Sequence, residues 1–569
     1  MTIRNSPASG LLPQPPDDSE KYCYARRHLW VLTFFAFVGI VFLAISQLAF
    51  TSSSPWFWLF APFLVVAVCH SLLSLRLDGF SRGFDMRAHR ALVRGWRPDA
   101  YPTVDVFLPV CGEPIEVLHN TWTHVRRMAR NYPGRVTVYV LDDGASAELA
   151  AMAADFGFRH GTRTDRGRYK KAGNLQYGFG ISAGEHILIL DADFAPRADL
   201  LQEMLPYMDE PDTGIVQSPQ FFRVLDSQNW IERGAGATQE YFYRSVQVSR
   251  DGKNASICCG SCALYRRSAL EANGGTTLIE HSEDMYTGFD LRGLGWRLRY
   301  VPVALSTGVC PDTAGAYMNQ QYRWCWGSLA LITDRKFWAA PLRVETRLSY
   351  LSGFLYYLTT ALAVFALPLI PIGLLLFAPG QVVAQASFLL LPTLFYVTIV
   401  QPLWHRAPFR LEAWAVQAIQ GWSFVFAFWD LLRGRHMGWK PSGSGGARSN
   451  GTRRFWLGLA LWSGGTALVW VALALWRTLS LYPPDFALLL AAGLFYAATI
   501  GRALLQPHVG EPGDPRLAAA VAPPAAVAPA ATAAPPVTAV PPVTTAAAAP
   551  TVSPATPGDF PAADPFQKA

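Results

Sequence analysis

Two apolar runs without Asp, Glu, Lys or Arg, 29–50 and 55–75, open the chain, and five further apolar runs follow residue 347: 348–377, 382–404, 413–428, 455–476 and 486–505, the last of which holds Arg502. Between the two groups the texture changes to short runs of strand-forming residues separated by mixed, charged stretches. Each of the first two runs approaches the roughly 20 residues that cross a hydrocarbon core of about 30 Å, and each predicts a spanning helix. A signal peptide is the competing reading of the first, but the run begins late and lacks a small-residue cleavage site before the second. In the central block "VDVFLPV" (104–110), "VTVYVLDDG" (136–144) and "HILILDADF" (186–194) alternate with helical stretches. That alternation predicts a mostly parallel α/β sheet, with ligands gathered outside the carboxyl ends of its strands.

Charge decides how many of the later runs cross. The loop 433–454 carries Arg433, Arg435, Lys440, Arg448, Arg453 and Arg454 and no acid, and the loop 406–410 is also basic. The positive-inside rule puts both in the cytoplasm. The segment 413–430 between them then cannot cross; with Trp414, Gln417, Gln420, Trp422 and Trp429 it is predicted to be an interfacial amphipathic helix. Six spans result, in an integral plasma (inner) membrane protein with both termini inside. The central block, flanked by Arg76, Arg82, Arg87, Arg90 and Arg94, falls on the cytoplasmic side by the same rule. The formal charge of +7 reflects this orientation, and no nucleic-acid partner is expected. The expected division is 1–27, a cytoplasmic segment; 28–76, two membrane helices; 77–340, the cytoplasmic domain; 341–508, the membrane region; and 509–569, an Ala/Pro-rich tail whose composition predicts disorder. The eight cysteines read as free thiols in this setting, and the pair Cys259 and Cys262 has no second ligand pair at zinc spacing.

The candidate chemistry is acidic. Asp142 and Asp143 close the second strand, and Asp191 and Asp193 follow the third. Carboxylates converging on one crevice are costly unless a cation joins them. Mg²⁺ (or Mn²⁺) carrying a diphosphate would reverse that cost. Turn chemistry is the competing reading of either pair alone. Lys170 and Lys171, just before Gly173 and Asn174, suit a diphosphate, although lysines in such places are often only solvated.

Two further motifs complete a pattern: Glu283-Asp284 and Gln320-x-x-Arg323-Trp324. The order DDG, KAGN, DxD, ED, QxxRW over roughly 109–326 resembles the processive family 2 glycosyltransferases, specifically the cellulose synthase-like membrane enzymes. The resemblance implies an α/β GT-A domain inserted between transmembrane helices, adding an activated sugar to a chain that leaves through the enzyme's own membrane region. It implies that Asp142, Asp143, Lys171, Asn174, Asp191, Gln320 and Arg323 hold the donor, that Asp191 and Asp193 bind the metal, and that Asp284 is the general base. Trp324, Glu283, Cys259 and Gly260 would line the acceptor path, with "QSPQFF" (217–222) and "CCGSCALYRR" (258–267) beside it. The loop 433–454 stands where the family has a gating loop, but "HMGWKPSGSGG" departs from the usual FxVT pattern and reads equally as a flexible basic linker. The cyclic-dinucleotide-binding barrel of several bacterial relatives is not expected here.

The implied activity is processive, inverting synthesis and export of a β-linked glucan, cellulose-like, from UDP-glucose. A hyaluronan-, chitin- or mannan-type synthase, or single addition to a lipid or glycan acceptor, would use the same motifs. A channel or scaffold without catalysis is disfavoured by the intact acidic set. Expected partners are the nucleotide sugar, the growing polysaccharide, the bilayer and an extracytoplasmic accessory protein.

Overall fold

The computed structural model describes residues 12–25, 29–53, 55–79, 81, 83–383, 388–435, 450–480 and 483–505. The expected tail 509–569 and most of the expected gating loop 433–454 lie outside them.

The central block is built on a seven-stranded sheet in the order β3-β2-β1-β4-β8-β6-β9. Its strands are β1 (Val104–Val110), β2 (Val136–Asp142), β3 (Arg159–Gly161), β4 (His186–Ile189), β6 (Thr213–Gln217), β8 (Ala263–Arg266) and β9 (Arg297–Tyr300). β1 is buried along its whole length, which is why it reads as a continuous apolar run rather than an alternation. β1 pairs parallel to both β2 and β4, whereas β8 runs antiparallel to β4 and β6. The sheet is therefore mixed, more so than expected. The two acid-tipped strands are also not neighbours, because β1 lies between them. The chain order reverses at β1, and this switch point opens the crevice where β2 and β4 deliver their acids. A small second sheet, β5 (Ala195–Pro196), β10 (Ser306–Gly308) and β7 (Phe221–Phe222), closes the block.

The helix Ile115–Asn131 packs below the sheet through Leu118, Trp122, Val125 and Met128, the apolar stripe of a 3.6-residue period. Residues 12–25 also belong to this block. The Lys21 ammonium is buried and donates to Asp199 (2.7 Å) and Glu203, Glu20 pairs with Arg223, and Ala304 N donates to Lys21 O (2.8 Å). A buried lysine satisfied by two carboxylates fixes the register of this segment.

Among the described residues five helices are long and apolar enough to cross a membrane: Leu29–Ala49, Trp58–Gly79, Val344–Phe377, Arg453–Ser480 and Pro484–Leu505. Of the sixth expected span, 382–404, the described residues include the apolar helical run Phe388–Trp404, with 384–387 outside them. Its backbone changes from a 3-10 turn to α, to π and back to α, with Pro392 and Pro402 each near the start of an α segment. Near its beginning Thr393 Oγ1 donates to Gly39 O (2.9 Å), and just past its end the backbone N–H groups of Arg406 and Ala407 donate to Glu240 in the central block (3.0 Å).

The expected interfacial helix is Leu411–Leu432. It is less exposed than an interfacial helix would be. Ala413, Val416, Ile419, Trp422 and Phe424 are buried, and it packs against the helices Trp230–Tyr241, Ala314–Thr333, Val344–Phe377 and Pro483–Leu505. Glu412 at its start pairs with Arg233 (2.8 Å) and Arg502 (3.6 Å). All eight cysteines are free thiols.

Candidate active site

The DDG turn divides its two aspartates between different tasks. Asp142 is fully buried. Its Oδ1 accepts from Gly144 N (2.8 Å) and Ala145 N (3.1 Å), and its Oδ2 from Ser146 N (2.8 Å), with His160 Nε2 at 3.1 Å. This carboxylate organises its own loop, as Asx turns do. Asp143 faces the other way and receives Arg163 in a two-pronged pair, Nε to Oδ1 and Nη2 to Oδ2, both 2.7 Å. Arg163 also donates to the carbonyls of Arg168 (2.7 Å) and Lys170 (3.1 Å). One guanidinium thus ties the DDG turn to the loop preceding the KAGN segment. The glycine of that segment makes room for it, since a Cβ on Gly173 would lie 2.3 Å from Arg163 Nη1. The sequence reading missed Arg163; its one signal was an arginine in the turn between β3 and KAGN.

The helix Lys170–Ile181 starts from Tyr169 and Lys170, both in the left-handed region (φ 52° and 48°). This sharp entry turns Lys171 into the crevice. Its ammonium donates to Asp191 Oδ1 and to Gly260 O (3.3 Å) and stands 3.9 Å from Glu283. Burial opposes its charge, but Asp191 and Glu283 more than reverse that and hold its pKa above the ordinary value. Lys171 therefore joins three of the sequence motifs at one point. Asn174 is buried, and its Nδ2 donates to Leu141 O (2.7 Å).

The Asp191 backbone N–H donates to Ser261 Oγ (3.0 Å), which fixes this end of the strand. Asp193 is pushed up to about 7 by burial and by the neighbouring Asp191 charge. Such a group gains from a dication, and two carboxylates at the rim fit a hard metal ion that completes its shell with phosphate oxygens and water. Glu113, just beyond the end of β1, is a second residue the sequence reading missed. Its carboxylate accepts from Cys111 N (2.6 Å), and burial raises its pKa, with Asp191 and Asp142 adding to the effect.

Glu283 and Asp284 open the helix Glu283–Gly293. Burial and the Glu283 charge push Asp284 up to about 7, with Lys171 opposing. Its Oδ1 accepts from Met285 N (2.8 Å). Against it lies Gly260, φ +76°, where a Cβ would stand 2.7 Å from Asp284 Oδ2. Cys259 is held by its backbone: its N–H donates to Gln217 (2.9 Å), and its carbonyl accepts from Gln220 (2.7 Å). The QSPQ segment therefore supports the Cys259-Gly260 turn through side-chain amides.

The helix Ala314–Thr333 carries the last motif. Among the described residues the buried Oε1 of Gln320 meets no hydrogen-bond partner, nor does the Oδ1 of Asn174. Buried acceptors left this way are the positions where a ligand's donors belong. Arg323 is buried enough to lower its pKa, with Glu283 acting in the opposite direction. Trp324 remains 36% exposed, so a face of its ring is available.

Residues 186–400 match the model of the glycosyl transferase family group 2. That matched stretch takes in the DxD, ED and QxxRW motifs, and the sheet it contributes to is mixed. The chain's relatives include cellulose synthase 1 of Komagataeibacter xylinus, 32% identical over 348 residues that cover 58% of this chain and 22% of that one. The UDP-forming cellulose synthase catalytic subunit of Xanthomonas axonopodis pv. citri (strain 306) is 30% identical over 267 residues, 45% of this chain and 36% of that one. The chain spans between about a fifth and about half of the length of the curated relatives it matches. Among solved structures it resembles the mannosyltransferase PcManGT from Pyrobaculum calidifontis in complex with GDP-Man and Mn²⁺, with a TM-score of 0.41 and 17% identity over 65% of this chain and 99% of that one.

Proposed function

We propose that this domain transfers a sugar from a nucleotide sugar, UDP-glucose being the expected donor, to the end of a growing β-linked glycan that leaves through the membrane helices. The observation that carries the reading is the bridge through Lys171, which joins Asp191 on the donor side to Glu283 beside Asp284 on the acceptor side. Donor and base candidates thereby share one crevice.

In this reading the Asp284 carboxylate removes the proton of an acceptor hydroxyl as that oxygen attacks the anomeric carbon. The bond from that carbon to the diphosphate oxygen breaks on the opposite face, and the diphosphate leaves with the electron pair. One inverting displacement results, and its proton ends on Asp284. A pKa near 7 suits a base working near neutrality. Lys171, Gln320 and Arg323 hold the leaving group, and Trp324 offers the acceptor sugar a stacking face. A divalent cation held by Asp191 and Asp193 would neutralise charge on the diphosphate. Asp143, locked by Arg163, sets the edge of the nucleotide pocket, and Asp142 shapes the loop that carries it.

The test is nucleoside diphosphate release by the purified full chain with Mg²⁺ or Mn²⁺, across UDP-glucose, UDP-N-acetylglucosamine, UDP-glucuronate and GDP-mannose, with the product sized and digested by linkage-specific glycosidases. A high-mass, cellulase-sensitive product from UDP-glucose is expected. A single discrete addition product would overturn processivity, and no turnover with any donor would overturn the reading as a whole.

A further inference from the structure

A cavity of about 180 Å³ lies on the far side of the helix that carries the Gln320, Arg323 and Trp324 motif. One water's share of liquid volume is roughly 30 Å³, so the space is too large for a single trapped water. At 100° per residue, Met318 and Tyr322 project from the helix face opposite Gln320, Arg323 and Trp324, and both line this cavity. The other wall is the end of Leu411–Leu432 and the start of the helical run at 450.

The lining is strongly cationic. Arg433, Arg435 and Arg454 converge on it, with Asp430 the one carboxylate among the described lining residues. The Asp430 Oδ2 already accepts from Tyr322 Oη (2.8 Å), and Arg433 lies over the Trp429 ring at 4.2 Å. Among the described residues none of the three arginines forms an ion pair. Three guanidiniums around one committed carboxylate make a site for an anion, and guanidinium geometry matches phosphate oxygens.

The rim says where that anion comes from. Arg454 stands at the head of the span Arg453–Ser480. Trp429 in the lining is 50% exposed, and Leu432, Leu457 and Leu461, close in sequence to Arg433 and Arg454, are 81%, 47% and 74% exposed. Exposed leucines and a tryptophan beside arginines at the end of a span mark the depth at which hydrocarbon meets headgroups. A soluble anion would have no use for such a rim; a lipid would bury acyl chain against the leucines while its phosphate reached the arginines.

We propose that this cavity binds the phosphate of an anionic phospholipid headgroup, through Arg433, Arg435 and Arg454, behind the helix that holds the sugar-transfer motif. The binding is independent of which sugar the domain uses. Tyr322 and Asp430 tie the site to that helix.

The test uses the full chain in neutral detergent, titrated with fluorescent phosphatidylglycerol or phosphatidylcholine and read by anisotropy. Replacing the three residues together, Arg433→Gln, Arg435→Gln and Arg454→Gln, is expected to weaken phosphatidylglycerol binding by about tenfold or more. Loss of the same charge elsewhere, Arg87→Gln, Arg90→Gln and Arg94→Gln on the helix Met86–Gly95, should change it by less than about twofold. Asp430→Asn should tighten it, a gain that misfolding would not produce. Phosphatidylcholine binding should not move in any variant. Equal losses in the two triple variants, or weaker binding in Asp430→Asn, would overturn the proposal. Displacement of phosphatidylglycerol by millimolar inorganic phosphate alone would reassign the site to a soluble anion and overturn the lipid.

Discussion

Gly260→Ala separates the placing of the base from ordinary backbone strain. A Cβ at this position would stand 2.7 Å from Asp284 Oδ2 and 3.2 Å from its Cβ and Cγ. Ordinary contact begins at 3.4 Å, so Oδ2 must retreat by about 0.7 Å, the difference from 2.7 Å. Misplacing a reacting group by about 1 Å costs on the order of 10²-fold, so turnover is expected to fall by about ten- to a hundredfold. Alanine at φ +76° also carries roughly 1–2 kcal/mol of strain, which would lower thermal stability whatever its neighbours. Gly157→Ala supplies the comparison. Its φ is +73°, and nothing lies within 4 Å of its Cβ position. It should lose similar stability and keep its turnover. The assay is nucleoside diphosphate release at saturating donor, beside donor affinity from titration and Tm for each variant. Turnover of Gly260→Ala within about threefold of native, at matched Tm loss, would refute the reasoning that Asp284 must sit where Gly260 lets it sit.

Asp284→Asn should cut turnover by about 10²-fold or more while donor affinity holds, and Asp193→Asn should weaken metal-dependent donor binding instead; equal binding loss in both would undo that division. Because Asp284 must be ionised to accept a proton and is pushed up to about 7, turnover at saturating donor should rise with pH through about 7 and level off above it. Glu283→Gln removes the neighbouring negative charge and should move that rise to lower pH; a pH–rate profile that keeps its midpoint would count against Asp284 as the base. Arg163→Ala leaves the buried Asp143 carboxylate without its partner, a loss of about 3–5 kcal/mol in comparable buried pairs. A marked drop in Tm is expected, and Arg163→Lys, which cannot make the two-pronged pair, should restore little of it.

The strands that carry the acids were legible because β1, β2 and β4 are buried, and burial on both faces writes an apolar run that ends where the sheet ends. The same text could not say that β1 lies between the other two, since pairing partners far apart in sequence leave no local mark. Nor could it divide Asp142 from Asp143. They are identical in type and adjacent, and their different tasks come from three backbone N–H groups that the turn aims at one of them. Arg163 was invisible for a related reason, because a surface arginine and a buried one are spelled alike. Charge in the flanking loops reads 413–430 as interfacial, yet the burial of the helix Leu411–Leu432 on several sides depends on helices that precede and follow it in the chain.

The attachments of the central block also govern how often the chain crosses the bilayer. Residues 12–25, the helix Leu411–Leu432 and Arg502 all touch that block or its immediate partners, so all of them share its side of the membrane. Each return to the same side requires an even number of passages. In the topology expected from charge, Leu29–Ala49 and Trp58–Gly79 would make one such pair, and Arg453–Ser480 and Pro484–Leu505 another. Val344–Phe377 then has no long partner among the described residues, and the apolar run that ends at Trp404 would be the one to bring the chain back. The pairing of that one run therefore decides whether the chain after it returns to the block's side, where Glu240 accepts the backbone N–H groups of Arg406 and Ala407.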